Sequence, residues 1–193
     1  AGGDVNMVGR TGDTIRCSIT GPPDSTNDAM RIALRVDVLS ENDKLRLTIG
    51  PMGEQETVEL GVKEYSDWIT LEFKPRKGGP KVSGIVRFYC MGTNPEFGLY
   101  MTPIQIDPAN PAMPISHPTV YSIYLAKKLG PFATLGLAED TWALNERVID
   151  EEAFWKQSLN IWEERRAQLF DALKTARKGS VVCVFDGTDR VSH

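Results

Sequence analysis

The chain has 193 residues, 41% of them hydrophobic and 25% charged, with a formal net charge of −4. That length and apolar content suit one large domain or two small ones around a real core. An acidic balance with scattered Lys and Arg argues against an obligate nucleic-acid partner, and no apolar run approaches the ~20 residues of a membrane span. The first residues, Ala1-Gly2-Gly3-Asp4, carry no initiator Met. Residues removed upstream are therefore expected, and the compartment stays open between cytoplasm and export.

In chain order, the first half reads as β. TIRCSIT is followed by RIALRVDVL (31–39), where Ile32, Leu34, Val36 and Val38 alternate with Arg31, Ala33, Arg35 and Asp37. A period of two puts the aliphatics on one face and the charges mostly on the other. After the polar Glu41-Asn42-Asp43-Lys44 turn comes LRLTI, then TVELGV, WITLEFK, VSGIVRFYCM and FGLYMTPI, several of them separated by Gly or Pro breaks. Short strands without an intervening helical period predict an antiparallel sandwich.

Prolines 108, 111, 114 and 118 lie in IDPANPAMPISHP. They fix φ and remove backbone donors, so residues 108–118 are expected to cross stiffly between a β-rich region, 1–107, and a helical segment, 119–193. TVYSIYLAKKLG predicts a short helix ended by Gly130. Glu139-Asp140 reads as a cap on a helix beginning near Thr141, in preference to a general acid/base pair. Asp150 reads as an N-cap with Glu151 and Glu152 in the first turn. The helix it opens has Phe154, Ile161, Leu169 and Leu173 on one face. Lys174, Arg177 and Lys178 complement its end, with Gly179 as the residue beyond the cap.

VVCVF (181–185) is apolar on both faces, the pattern of a strand buried in a parallel sheet. The fold class expected is thus α+β: a sandwich-like N-terminal region, a helical segment, and one strand of an incomplete α/β sheet. Such a strand would leave an edge that recruits further chains, so a homo-oligomer is expected. Cys17, Cys90 and Cys183 fall in apolar runs with no CxxC and read as small buried hydrophobes. The tryptophans, Trp68, Trp142, Trp155 and Trp162, read as core or interface anchors.

Past that strand, Asp189 and His193 have the spacing D-x-x-x-H. On a helical turn, i and i+4 share a face, so a carboxylate oxygen and an imidazole nitrogen can meet on one divalent cation. Two ligands are too few for a tight site. His117, beside Pro118, reads as a loop residue in preference to a ligand.

VCVFDGTDRVSH, with LYMTPIQIDPANPAMPISHP, GLAEDTWALNERVIDEEAF and SGIVRFYCM, resembles bacterial members of the type I phosphodiesterase/nucleotide pyrophosphatase family, part of the alkaline phosphatase superfamily. The resemblance runs in order through most of the chain. It implies a metal-dependent hydrolase acting on phosphate esters, diesters or nucleotides, with zinc or manganese at a two-metal centre. It also implies that Asp189 and His193 are metal ligands, with Asp186 as a supporting acceptor behind them. The family's Ser or Thr nucleophile has no counterpart here, so no catalytic residue is assigned. The expectation is an internal piece, inactive by itself. The rival reading is a β-sandwich module that binds a carbohydrate or a protein.

Overall fold

A computed structural model describes residues 5–39, 43–51, 53–75, 78–93 and 97–192, with backbone alone for 5–11 and 192. The chain divides into two compact units, Ala1–Ile106 and Asp107–His193. The fold is α+β: antiparallel sheets of several strands followed by helices.

The first unit holds β1 (Val5–Thr11), β2 (Thr14–Pro23), β3 (Ala29–Leu39), β4 (Lys44–Ile49) and β5 (Glu56–Gly61), joined in that order as an antiparallel five-stranded meander. The pleat explains it. In β3, Ile32, Leu34, Val36 and Val38 are buried while Arg31, Ala33 and Arg35 face outward. Register keeps the faces matched: Leu34 pairs with Ile49, Val36 with Leu47 and Val38 with Leu45. A slip of one residue would turn that whole set outward.

Against this face stand β6 (Ile69–Phe73), β7 (Val82–Val86), β8 (Phe88–Gly92), β9 (Gly98–Met101) and β10 (Gln105–Ile106). They form a three-stranded sheet, β10-β7-β6, and a two-stranded one, β8-β9. Leu34, Leu45 and Leu47 share one buried cluster with Leu71, Phe73, Val86, Phe88 and Cys90. Packing is tight enough to dictate Gly21, because a Cβ there would lie 2.2 Å from the Phe73 ring. The sequence pattern merges β7 and β8 into one run. In the structure they part at Arg87, whose N–H bonds to Thr102 Oγ1 (3.0 Å) and whose guanidinium lies 4.8 Å from the Trp68 ring centre.

In the second unit, residues 107–118 form neither helix nor strand. Then come α1 (Val120–Leu129), α2 (Thr141–Asn145), α3 (Glu151–Thr175) and α4 (Gly187–Ser192). Gly130 ends α1 with φ +94°, its N–H bonding to Ala126 O. Asp140 caps α2 through Ala143 N (3.0 Å), and Asp150 caps α3 through Ala153 N (2.8 Å). Both are the expected caps, each satisfying an amide that lacks a helical partner.

Five expectations fail in this unit. Helix α3 stops at Thr175, where Ala176 turns extended, so Arg177, Lys178 and Gly179 lie beyond it. Its apolar face is buried at Phe154 and Ile161 but not at Leu173, which is 54% exposed. Residues 181–186 form no strand, and Val182 and Val184 are 86% and 73% exposed. A strand apolar on both faces needs neighbours on both edges, and the described residues of this unit contain no sheet to receive it. Cys183 is exposed for the same reason, while Cys17 and Cys90 are buried as expected. Of the tryptophans read as anchors, Trp142, Trp155 and Trp162 are exposed.

Candidate functional site

Helix α3 is the platform from which the end of the chain is organised. Phe185 leans on Trp162 with ring centres 6.3 Å apart. Arg165, one turn further along α3, makes an ion pair with the Asp186 carboxylate. The Asp186 carbonyl accepts the Arg190 N–H at 3.1 Å, which closes the first turn of α4. Thr188 and Val191 then line a groove of about 390 Å³ with Trp155, Leu159, Trp162 and Phe185.

That contact fixes how α4 is turned. At about 100° per residue, positions two apart stand on opposite sides of a helix. Val191 faces the groove, so Asp189 is placed away from it, and Asp189 is indeed exposed. It also sits in the first turn of α4, among backbone N–H groups that lack helical partners and favour a negative charge. His193 lies outside the described residues.

Asp186 is not placed as a free acceptor. It is half-buried and ion-paired with a guanidinium 21 positions earlier in the chain, while its buried Oδ1 has no hydrogen-bond partner among the described residues. Arg190, four residues on, stands on the same side of α4 as Asp186, and its buried Nε has no hydrogen-bond partner among the described residues. Among the described residues, no group of three or more His, Cys, Asp and Glu side chains is arranged to hold a metal ion. Asp189 therefore fits one arm of a cation site and not a complete site. No reaction step is derived through a metal.

The other residues singled out from sequence lie apart from this loop. His117 is exposed in the proline stretch, where the neighbouring Ser116 hydroxyl accepts the Ser122 N–H (3.0 Å). Glu139 is buried, with its Oε2 unpaired among the described residues, while Asp140 is occupied as a cap.

Two features escaped the sequence reading. Arg165-Arg166 beside Glu163-Glu164 looks like a self-neutralising cluster, and one pair in it is: Arg166 meets Glu163 at 2.9 Å. Glu164 instead accepts the Ala133 N–H (2.8 Å), and Arg165 reaches Asp186. The second is a triad joining α1 to α3. Asp171, buried on α3, pairs with Lys128 and accepts the Tyr124 hydroxyl (3.1 Å), while Lys128 Nζ donates to Tyr124 Oη (2.7 Å). The Lys128 hydrogen bond first, and then that of Tyr124, outweigh burial and hold the Asp171 carboxyl below the usual aspartate range. Tyr124 and Lys128 had a visible signal in their i,i+4 spacing. Asp171, 43 residues beyond Lys128, had none.

No protein-family model matches the chain, and comparison with curated proteins and with solved structures finds no match.

Proposed function

We propose that the chain carries one arm of the metal centre of a phosphoric diester or nucleotide pyrophosphate hydrolase, and that it is inactive alone. The reading is supported by the ordered resemblance to the type I phosphodiesterase/nucleotide pyrophosphatase family. The observation that carries it is Asp189: a carboxylate held on the outer side of α4, four residues before His193 in sequence. A hard oxygen and a borderline nitrogen at that spacing suit zinc or manganese. The nucleophile and remaining ligands would come from polypeptide outside these 193 residues.

The test is hydrolysis of a chromogenic phosphodiester by the full-length gene product with Zn²⁺ or Mn²⁺. Turnover is expected to fall to the metal-free level in Asp189→Asn and in His193→Ala. Equal turnover in wild type and Asp189→Asn refutes the assignment. Turnover by the 193-residue chain, abolished by His193→Ala, refutes its inactivity.

A second reading is favoured by the groove of Trp155, Leu159, Trp162 and Phe185 beside the bare residues 182–184. Exposed aromatic and aliphatic surface of this kind is typical of protein contacts. With Ser158 and Thr188 as its hydroxyl-bearing lining residues, the groove suits a polypeptide better than a carbohydrate. Under this reading the chain self-associates through 181–185. Sedimentation equilibrium showing only monomer rejects it.

A further inference from the structure

We infer that the outer face of α3 binds the same face of a second copy of this chain, with the two helices antiparallel. The inference rests on the reading of the Trp155–Phe185 groove as a protein contact, and it places the partner on α3 and not on residues 182–184.

Helix α3 is apolar on two sides. One side is buried within its own unit at Phe154 and Ile161. On the other, Trp155, Leu159, Trp162, Phe170 and Leu173 are 39–54% exposed. At about 100° and 1.5 Å per residue, these five fall within about 80° of one another and run for about 27 Å. The solvent side of a helix is ordinarily polar, so a continuous apolar stripe marks a contact. The one charge inside the stripe is muted: Arg166 lies 5.1 Å from the Trp162 ring centre and pairs with Glu163. Three rings about half exposed offer roughly 225–375 Å² per copy, against the about 800 Å² that each partner gives a stable interface. The leucines and the groove walls must therefore take part.

Charge along α3 selects both the occupant and its direction. Residues 150–164 include five acids and one Lys, whereas 165–178 include five bases and one Asp, a balance of −4 followed by +4. Some of these are engaged inside the unit, among them Asp150 as the cap, Asp171 with Lys128 and Arg165 with Asp186. The exposed ends keep the pattern, with Glu151 at the start and Arg177 and Lys178 past the finish. In a parallel pair, like ends meet and repel. An antiparallel pair sets Glu151 of each copy against Arg177 of the other.

That register also matches the apolar side. With Glu151 opposite Arg177, Trp155 stands opposite Leu173, Leu159 opposite Leu169 and Trp162 opposite Arg166. Ser158, the remaining α3 residue in the groove wall, comes opposite Phe170. Phe170 and Leu173 of each copy thus enter the groove of the other. One face that complements itself is what a closed two-fold dimer requires.

The experiment follows the 193-residue chain by sedimentation equilibrium from micromolar to millimolar concentration, and a dimer is expected. Phe170→Ser with Leu173→Ser should weaken it at least about tenfold. Both side chains are already half in water, so the helical circular dichroism of the monomer should be unchanged. Glu151→Lys sets cation against cation and should weaken the dimer about tenfold. Adding Arg177→Glu to it should restore the dimer, a recovery that damage to the fold would not allow. Direction is read by mixing an isotope-labelled copy with an Ala176→Cys, Cys183→Ser copy carrying a nitroxide, since Cys17 and Cys90 are buried. Broadening is expected at amides 150–154. Broadening at 174–178 instead means a parallel pair and overturns the inference. A monomer at every concentration overturns it together with self-association at 182–184. A dimer that survives Phe170→Ser with Leu173→Ser overturns it alone, and loss of that dimer in Val182→Asp with Val184→Asp assigns the contact to 182–184.

Discussion

The two units of this chain solve the problem of stability in opposite ways. The sandwich buries long aliphatic and aromatic side chains: Leu34, Leu45, Leu47, Leu71, Phe73 and Phe88 are each at most 1% exposed. In the helical unit, alanines at 126, 138, 143 and 153 make up half of the buried apolar set, beside Leu125, Ile149, Phe154 and Ile161. Its larger side chains, Trp142, Trp155, Phe170 and Leu173, stand at half exposure or more. What ties its helices together is polar: Asp171 with Lys128 and Tyr124, Gln157 Oε1 with Asp140 N (2.7 Å), and Glu164 with Ala133 N. Burial is non-directional and scales with area, whereas hydrogen bonds are directional and modest in net worth. The first unit is built to be stable, and the second to hold a particular arrangement with a thin core.

The largest effect that separates them is truncation of the core. Leu34→Ala should cost about 2–5 kcal/mol, since the site is enclosed by both layers and cannot collapse. Urea unfolding, followed by hydrogen exchange in β3 and β4, measures it. A loss below about 1 kcal/mol would mean that the sandwich is not the tightly packed member of the pair.

Charge should separate the units next. Asp171 titrates below its ordinary value, chiefly because Lys128 donates to it and with help from Tyr124. A carboxyl with a depressed folded pKa adds stability that is present above the unfolded pKa, about 3.9, and is lost as pH falls through the folded value. Lys128 is raised above the ordinary lysine range, first by Asp171 and then by Tyr124. Its contribution is complete below about pH 10 and is lost as pH rises through the folded value. The α1–α3 contact should therefore weaken at both extremes. Asp171→Asn should lower the melting temperature at pH 7 and flatten the acid limb of its pH dependence. An unchanged acid limb would break the claim that polar ties hold this unit.

The caps come third. Asp150→Ala removes the acceptor for Ala153 N and should cost about 1 kcal/mol. Faster exchange of the amides in the first turn of α3 is the check. Asp150→Ser should recover most of the loss, because a hydroxyl fills the same acceptor position.

Local rules made much of this legible in the sequence. The alternation of Ile32, Leu34, Val36 and Val38 and the caps at Asp140 and Asp150 depend on neighbours within a few residues, and each is found as expected. The strands were readable for that reason, apart from β1, the short β10 and the split at Arg87, which is enforced from outside by Thr102. Long-range geometry was not legible. Nothing near Arg165 announces Asp186, and nothing near Lys128 announces Asp171. The misread strand at 181–185 shows the same limit, because a pattern apolar on both faces states what a segment could bury and not whether anything covers it. At the candidate site, the spacing of Asp189 and His193 was visible, but the ion pair of Arg165 with Asp186 was not.

That segment offers the smallest effect and the sharpest use of the comparison. Val36 and Val38 in β3 have the same chemistry as Val182 and Val184, yet the first pair is buried and the second bare. Val→Thr keeps the β-branched shape while adding a hydroxyl. In β3 that hydroxyl would be buried without an assured partner, at a cost of about 1–3 kcal/mol each. At 182 and 184 it meets water, so the double change should move stability by no more than about 0.5 kcal/mol. A loss above 1 kcal/mol for Val182→Thr with Val184→Thr would mean that the segment is covered in solution. If that loss also grew with protein concentration, as mass action requires of an associating chain, the cover would be a second copy.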